Sequence, residues 1–304
     1  MNIRDLQYAV AVADHCHFGR AAAACHVGQP TLSAQIRKLE EHLGVTLFER
    51  TKRSVRVTSV GEDIVAKARE LLALAELIED SAKARINPLS GPLRLGMIPT
   101  IGPYLTPILL PSIRHGLPEV QLTLSENLTA NLEAQVSAGR LDAAIIATEP
   151  GDPRLEEIAL FEEPFWIALP KGHRLESLDE VDLADIESEE LLLLEDGHCL
   201  SDQVLSFCTA AFAKNPKLNT QLTSLMTITA LVGAGVGVTL VPALSLGGSW
   251  VTDSGVIIRR EKSKKACRSV RLVFRSSFPR RDLIEKLADI VCAIAPDTVS
   301  PARR

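Results

Sequence analysis

Apolar residues Ile3, Leu6, Val10 and Ala13 recur three and four positions apart, the period of one helix face, and predict a first helix from Ile3 to about Asp14. An alanine-rich second helix follows over Phe18–His26, then a short turn at Val27-Gly28. Pro30 after Gln29 suits the first turn of a third helix, where its missing N–H is not needed. That helix ends near Gly44. Its apolar side is Leu32, Ile36, Leu39 and Leu43, which leaves Thr31, Ser33, Ala34, Gln35, Arg37 and Lys38 for the outer face. Two short strands between Val45 and Thr58 surround a turn at Arg50-Thr51-Lys52-Arg53, and Arg56 lies just beyond it.

This order is a helix-turn-helix followed by a basic wing. Its second motif helix would enter the major groove while wing cations hold phosphates. The plainer alternative is a three-helix protein-interaction module with a solvated charged face. Ser59 and Glu62 have the spacing of a capping box, and from there no Gly or Pro interrupts the chain until about Asn87, Gly61 in the first turn excepted. Within this helix Ile64, Ala68, Leu71, Ala75, Ile78 and Ala82 are spaced as the seam of a coiled coil. A lone helix cannot bury such a seam, so it pairs with a second copy of the chain or packs on the chain's own effector module.

Asn87-Pro88-Leu89-Ser90-Gly91-Pro92 reads as a hinge. Beyond it strands at Leu93–Ile98, Val120–Ser125 and Leu141–Thr148 alternate with helices at Ile101–His115 and Leu128–Ala138, implying a parallel sheet flanked by helices. The alternation resumes with strands Trp166–Leu169, Leu191–Glu195 and Val236–Val241 and helices at about Ser201–Phe212 and Met226–Ala234. Strand Val270–Phe274 and helix Arg281–Ala295 best complete the first sheet. The expected fold is therefore multi-domain: a winged helix-turn-helix at 1–58, a dimerisation linker helix at 59–87 and a two-lobed α/β effector at 88–304. Lobe I takes about 92–162 and 268–304, lobe II about 163–267, and two crossing strands leave a cleft for a signal.

A chain of 304 residues exceeds one hydrophobic core, in keeping with several domains. The net charge of −5 argues against nucleic acid until it is divided: residues 1–58 hold eight Lys/Arg and five Asp/Glu, a net +3, leaving −8 for the rest. An acidic body thus carries a mildly basic head. Thr229–Leu246 is apolar but broken by Gly233, Gly235, Gly237 and Pro242, which suits a buried helix-turn-strand and no membrane span. The first ten residues have no apolar signal-peptide core, so a cytoplasmic location is expected. Cysteines at 16, 25, 199, 208, 267 and 292 are scattered, without CxxC or a Cys/His cluster, and imply neither a metal site nor a bound cofactor.

Phe18-Gly19-Arg20-Ala21-Ala22 through Gln29-Pro30-Thr31-Leu32-Ser33, then Leu39-Glu40, Leu43-Gly44 and Leu47-Phe48-Glu49-Arg50, resemble the LysR-type transcriptional regulators, and the resemblance spans the chain. It implies an effector like the type 2 periplasmic binding proteins and a homodimer, assembled further as a homotetramer, on double-stranded promoter DNA with RNA polymerase as a further partner. Gln29, Pro30, Thr31, Ser33, Arg37 and Lys38 then contact bases or phosphates, with Arg50, Lys52, Arg53 and Arg56 in the wing. A narrower resemblance, at Leu194-Glu195-Asp196-Gly197-His198-Cys199-Leu200-Ser201-Asp202-Gln203 with Cys208 nine residues after Cys199, is to the peroxide-sensing branch of that family. Ile98-Pro99-Thr100, Gly102-Pro103-Tyr104, Thr129 and Arg268 match the same branch. Ser201 departs from the basic residue expected there, and Cys267 adds a thiol beside Arg268.

That narrower resemblance implies that hydrogen peroxide oxidises Cys199, which condenses with Cys208, and that a thiol reductant resets the pair. Thr100, Thr129, His198, Asp202 and Arg268 would support the site. A thiolate is the attacking species, and a helix beginning at Cys199 would favour negative charge there. Nine residues of helix rise about 13.5 Å and turn about 900°, so a disulfide, which needs Cα atoms within about 7 Å, would require the helix to unwind. Three other functions compete. In a metabolite-responsive regulator Thr100 and Thr129 would bind a small organic acid. A thiol peroxidase would need no DNA-binding head. A periplasmic solute-binding protein would need a signal peptide.

Overall fold

The computed structural model describes residues 1–50, 55–84, 87–195, 197–207, 222–247 and 255–302. Lys52, Arg53 and Cys208 lie outside them, as does the side chain of Arg50. The chain divides into two compact units, Met1–Arg85 and Ile86–Arg304.

In the first unit the helices are α1 (Ile3–His15), α2 (Phe18–Ala24), α3 (Gln29–Leu43) and α4 (Ser59–Ala84), with β1 (Phe48–Arg50) and β2 (Val55–Val57) paired antiparallel. Asn2 and Asp5 form a capping box on α1, the His17 ring accepts the Gly19 and Arg20 amides of α2, and Pro30 occupies the first turn of α3. The core gathers Tyr8, Val12, Phe18, Ala21, Leu32, Ile36, Leu39, Leu47, Phe48 and Val65, with the Phe18 and Phe48 rings edge-to-face 6.3 Å apart.

The cap of α4 differs from the expected Ser59–Glu62 box. The Thr58 hydroxyl accepts the Gly61 amide at 2.9 Å and donates to the Thr46 carbonyl at 2.8 Å, so one residue ends the wing and begins the helix. Threonine one position earlier prevails because it reaches both partners at once. The apolar seam is also divided. Ile64 packs against the core of the head and Ala68 is buried, whereas Leu71, Leu74 and Ile78 stay exposed, Ile78 at 69%.

The second unit holds β3 (Gly91–Met97), α5 (Gly102–Gly116), β4 (Val120–Glu126), α6 (Thr129–Ser137), β5 (Ala143–Ile146), β6 (Leu155–Pro170) and β7 (Glu180–Val181). Then come α7 (Cys199–Phe207), α8 (Leu225–Gly233), β8 (Thr239–Pro242), β9 (Val256–Glu261), β10 (Cys267–Arg275), α9 (Arg281–Ile294) and β11 (Ser300–Pro301). The strand order is β4-β3-β5-β10-β6-β9-β7, with β8 and β11 also pairing with β6. In the first lobe the expected parallel sheet holds for β3, β4 and β5 only. β10 runs antiparallel to both β5 and β6.

β6 is the structural axis. Up to Pro164 it pairs with β10, and from Phe165 with β8 and β9. Its residues Leu160 and Phe161 belong to one core with Leu95, Ile145, Leu272 and Leu287, while Phe165 and Ile167 belong to another with Leu200, Val204, Ile228 and Val241. A strand expected at Leu191–Glu195 is reduced to a single bridge between Leu191 and Val238. The Thr239 side-chain hydroxyl donates to the Leu192 carbonyl at 2.7 Å, and Glu195 turns away to bond Leu222, so no ladder propagates.

Candidate functional site

On the head, Gln29, Pro30, Thr31, Arg37 and Lys38 are exposed or half-exposed along α3, with Ser33 half-buried, and Arg56 is exposed on β2. The buried stripe Leu32, Ile36 and Leu39 fixes this outward face by the helix period. The head thus presents a polar face of α3 that carries Arg37 and Lys38, together with Arg56 on the wing.

The second site lies where three loops meet in the other unit. Ile98-Pro99-Thr100 follows β3, Leu128-Thr129 opens α6, and Gly197-His198-Cys199-Leu200 opens α7; together they line a cavity of about 10 Å3, the room one water molecule needs. Gly197, at φ +96°, lets the chain turn into α7 where a side chain would be strained. Thr100 is buried, and its Oγ1 accepts a hydrogen bond from Arg268 Nη1 at 2.9 Å. The Thr129 hydroxyl is buried with no hydrogen-bond partner among the described residues. A lone buried hydroxyl costs about 1–3 kcal/mol, and this one borders the cavity.

His198 is buried, and burial lowers its pKa against the opposing pull of Glu195, so the ring is held neutral near pH 7. Asp202 does not line the cavity; it is exposed on the first turn of α7. Arg268 also stays off the cavity wall and acts on it through Thr100. Ser201 sits where a basic residue was expected, and the reason is visible: it is buried, and its hydroxyl donates to the Leu194 carbonyl at 2.8 Å. Gln203, in the second turn of α7, donates to the Ala147 carbonyl at 2.7 Å and ties that helix to the end of β5.

Cys267 is a different kind of thiol. Burial, reinforced by Glu162, pushes its pKa up to about 11, and its sulfur lies 3.7 Å from Glu162 Oε2. Such a thiol stays almost wholly protonated at pH 8. Arg268 does not activate it, because that guanidinium is committed to Glu163 and Thr100. Competitive labelling with iodoacetamide at pH 8 is expected to modify exposed Cys16 at least tenfold faster than Cys267. Equal rates would restore Cys267 as a redox-active residue.

Glu163 escaped the sequence reading. The signal was there, since Phe161, Glu163, Phe165 and Ile167 fall on alternate positions of one strand and all are buried. An acid in an otherwise apolar alternation marks a charge that must find a buried partner.

Fold and site together define a DNA-binding transcription regulator whose winged helix-turn-helix precedes an α/β sensing module. Residues 3–62 match the bacterial regulatory helix-turn-helix proteins of the lysR family, and residues 87–293 match the LysR substrate binding domain. The "Hydrogen peroxide-inducible genes activator" of Dickeya chrysanthemi is 43% identical over 291 residues, covering 96% of this chain and 95% of that one. A full-length OxyR variant from Pseudomonas aeruginosa superposes with a TM-score of 0.78 at 39% identity, covering 96% of this chain and 98% of its own. A hydrogen-peroxide-bound OxyR variant from Corynebacterium glutamicum gives 0.66 at 34% identity, over 96% and 92% of the two chains. The chain belongs to the LysR family of transcription regulators, in its OxyR branch.

Proposed function

We propose that this regulator senses hydrogen peroxide through Cys199 and Cys208 and converts their oxidation into altered binding of double-stranded operator DNA. The observation that carries the reading is the water-sized cavity beside Cys199, with the unpartnered Thr129 hydroxyl and Thr100 on its wall. A space of that size suits peroxide, scarcely larger than water, better than the organic acid of the competing reading. The Cys199 thiolate attacks one peroxide oxygen, the O–O bond breaks, and the second oxygen leaves as hydroxide, giving a sulfenic acid. The Cys208 thiolate then attacks the Cys199 sulfur, displacing hydroxide. The sum is two thiols and one peroxide to a disulfide and two waters.

The helix imposes the consequence. Eight helical steps from Cys199 to Phe207 span about 12 Å, and one further residue reaches back at most about 3.8 Å. Whatever direction the chain takes beyond Phe207, the two Cα atoms stay more than about 8 Å apart, beyond the roughly 7 Å limit of a disulfide. The bond therefore requires α7 to unwind, which withdraws Leu200 and Val204 from their core and breaks the Gln203 link to Ala147. The switch is covalent, local and two-state.

In this reading residues 1–58 form the DNA-binding domain and 59–87 the linker, whose exposed Leu71, Leu74 and Ile78 face a second copy in a homodimer that assembles into a homotetramer. The effector fills 88–304, with lobe I at about 92–162 and 268–304 and lobe II at about 163–267. Gln29, Pro30, Thr31, Ser33, Arg37 and Lys38, with Arg50, Lys52, Arg53 and Arg56, hold the DNA. The protein acts in the cytoplasm, contacts RNA polymerase at the promoter, is reset by a thiol reductant, and carries out no turnover of its own. No helix among the described residues is long and apolar enough to cross a membrane.

The test is peptide mapping by mass spectrometry after stoichiometric peroxide, beside Cys199→Ser and Cys208→Ser variants. A Cys199–Cys208 linkage absent from both variants is expected. Free thiols at both positions, or a linkage through Cys267, would overturn the mechanism and leave a small-molecule inducer as the better explanation.

A further inference from the structure

Behind the cavity lies a chain of contacts with no sulfur in it. Glu163 and Arg268 face each other across β6 and β10 at paired register positions, both side chains fully buried. Glu163 Oε2 accepts from Arg268 Nε at 2.8 Å and lies 2.7 Å from Nη2, so one carboxylate oxygen holds one edge of the guanidinium. Its other oxygen accepts the Leu244 amide at 2.7 Å, which fixes the carboxylate itself. The guanidinium sits 5.7 Å from the centre of the Phe165 ring. Held this way, Arg268 presents Nη1 to Thr100 Oγ1 at 2.9 Å and Nη2 to the Thr100 carbonyl at 3.3 Å.

That contact has a definite polarity. A guanidinium can only donate, and a threonine hydroxyl has one proton and two acceptor positions. Arg268 occupies an acceptor position of Thr100, so the hydroxyl proton cannot turn toward it. Among the described residues no acceptor takes that proton, and Thr100 lines the cavity. The proton is left free to turn toward the cavity that Thr100 lines. We infer that Glu163 is a positioning residue for peroxide oxidation of Cys199: by fixing Arg268 it fixes the Thr100 hydroxyl as a donor toward the peroxide. This rests on the proposed peroxide chemistry. The leaving oxygen gains negative charge as the O–O bond breaks, and a donor already aimed at it lowers the barrier.

The test measures the rate of Cys199 oxidation by hydrogen peroxide in the full-length chain carrying Cys208→Ser, with alkylation of Cys199 by iodoacetamide as the companion reaction. Alkylation needs the thiolate and access to it but no oxygen-directed donor. Glu163→Gln is expected to slow peroxide oxidation roughly tenfold, the effect of one misdirected hydrogen bond, and to leave alkylation within about twofold. Glu163→Asp keeps the charge that the buried arginine needs, so it serves if Glu163→Gln does not fold, and it is expected to slow the same reaction. In a Thr100→Val background, which has no hydroxyl proton to aim, either substitution should add nothing further.

Equal loss in both reactions, or a full further loss in the Thr100→Val background, would make Glu163 a structural residue and overturn the inference. So would an unchanged peroxide rate. If the parent chain alkylates at Cys199 but is not oxidised there by peroxide, the sensing chemistry itself fails, and this inference with it.

Discussion

Disulfide formation between Cys199 and Cys208 is expected to abolish the slow hydrogen exchange of the amides in α7. In the reduced chain the amides of Gln203 to Phe207 bond to carbonyls one turn earlier, and Leu200 and Val204 anchor that turn in the core. Because the covalent bond cannot close over an intact helix, exchange in this segment should accelerate roughly a hundredfold or more, while β3, β6 and β10 keep their protection. The informative control is the peroxide-treated Cys208→Ser chain, in which oxidation stops short of the disulfide. It should retain the slow amides. Persistent protection in a chain proven to hold the disulfide would contradict the helix geometry.

The second large effect lies in the head. A Cβ on Gly61 would stand 2.3 Å from the Leu47 carbonyl oxygen and 3.0 Å from Thr58 Oγ1, inside the junction where the wing passes into α4. The Leu47 oxygen is backbone, so the backbone itself has to move. Gly61→Ala is expected to destabilise the head by about 2–4 kcal/mol in urea unfolding, near the upper end of overpacking costs. Gly44 supplies the comparison. It has a left-handed φ of +70° and open space within 4 Å of where a methyl would stand, so Gly44→Ala carries only conformational strain, about 1–2 kcal/mol. Equal costs at the two positions would refute the steric argument.

The head was largely legible because its information is local. The apolar period of α1 and α3, the proline at the first turn of α3 and the small-residue turn before it all act within a few residues, and the helices lie within a residue or two of their expected ends. Where two neighbouring hydroxyls competed for one cap, spacing alone favoured Ser59 over Thr58, since the decisive partners at Thr46 and Leu47 are twelve and eleven residues away.

The effector was less readable for the same reason. Glu162-Glu163-Pro164 interrupts the apolar pattern of β6 and hides that its two halves are one 16-residue strand, and β9, half charged, gave no apolar run long enough to read. The loops that meet at Cys199 were found through resemblance. The Glu163–Arg268 pair, 105 residues apart, depends on how β6 and β10 come into register, and no local pattern announces its partner.

The coupling of α7 to its sulfurs has one more consequence, in electrochemical terms. In the proposed switch reduction lets the helix refold, so the free energy of that refolding enters the potential of the thiol–disulfide couple. Each additional 1.4 kcal/mol or so of helix stability raises that potential by about 30 mV and makes the oxidised form easier to reset. Exposed positions of α7 such as Leu205 and Ser206 therefore tune the redox set point without touching either sulfur.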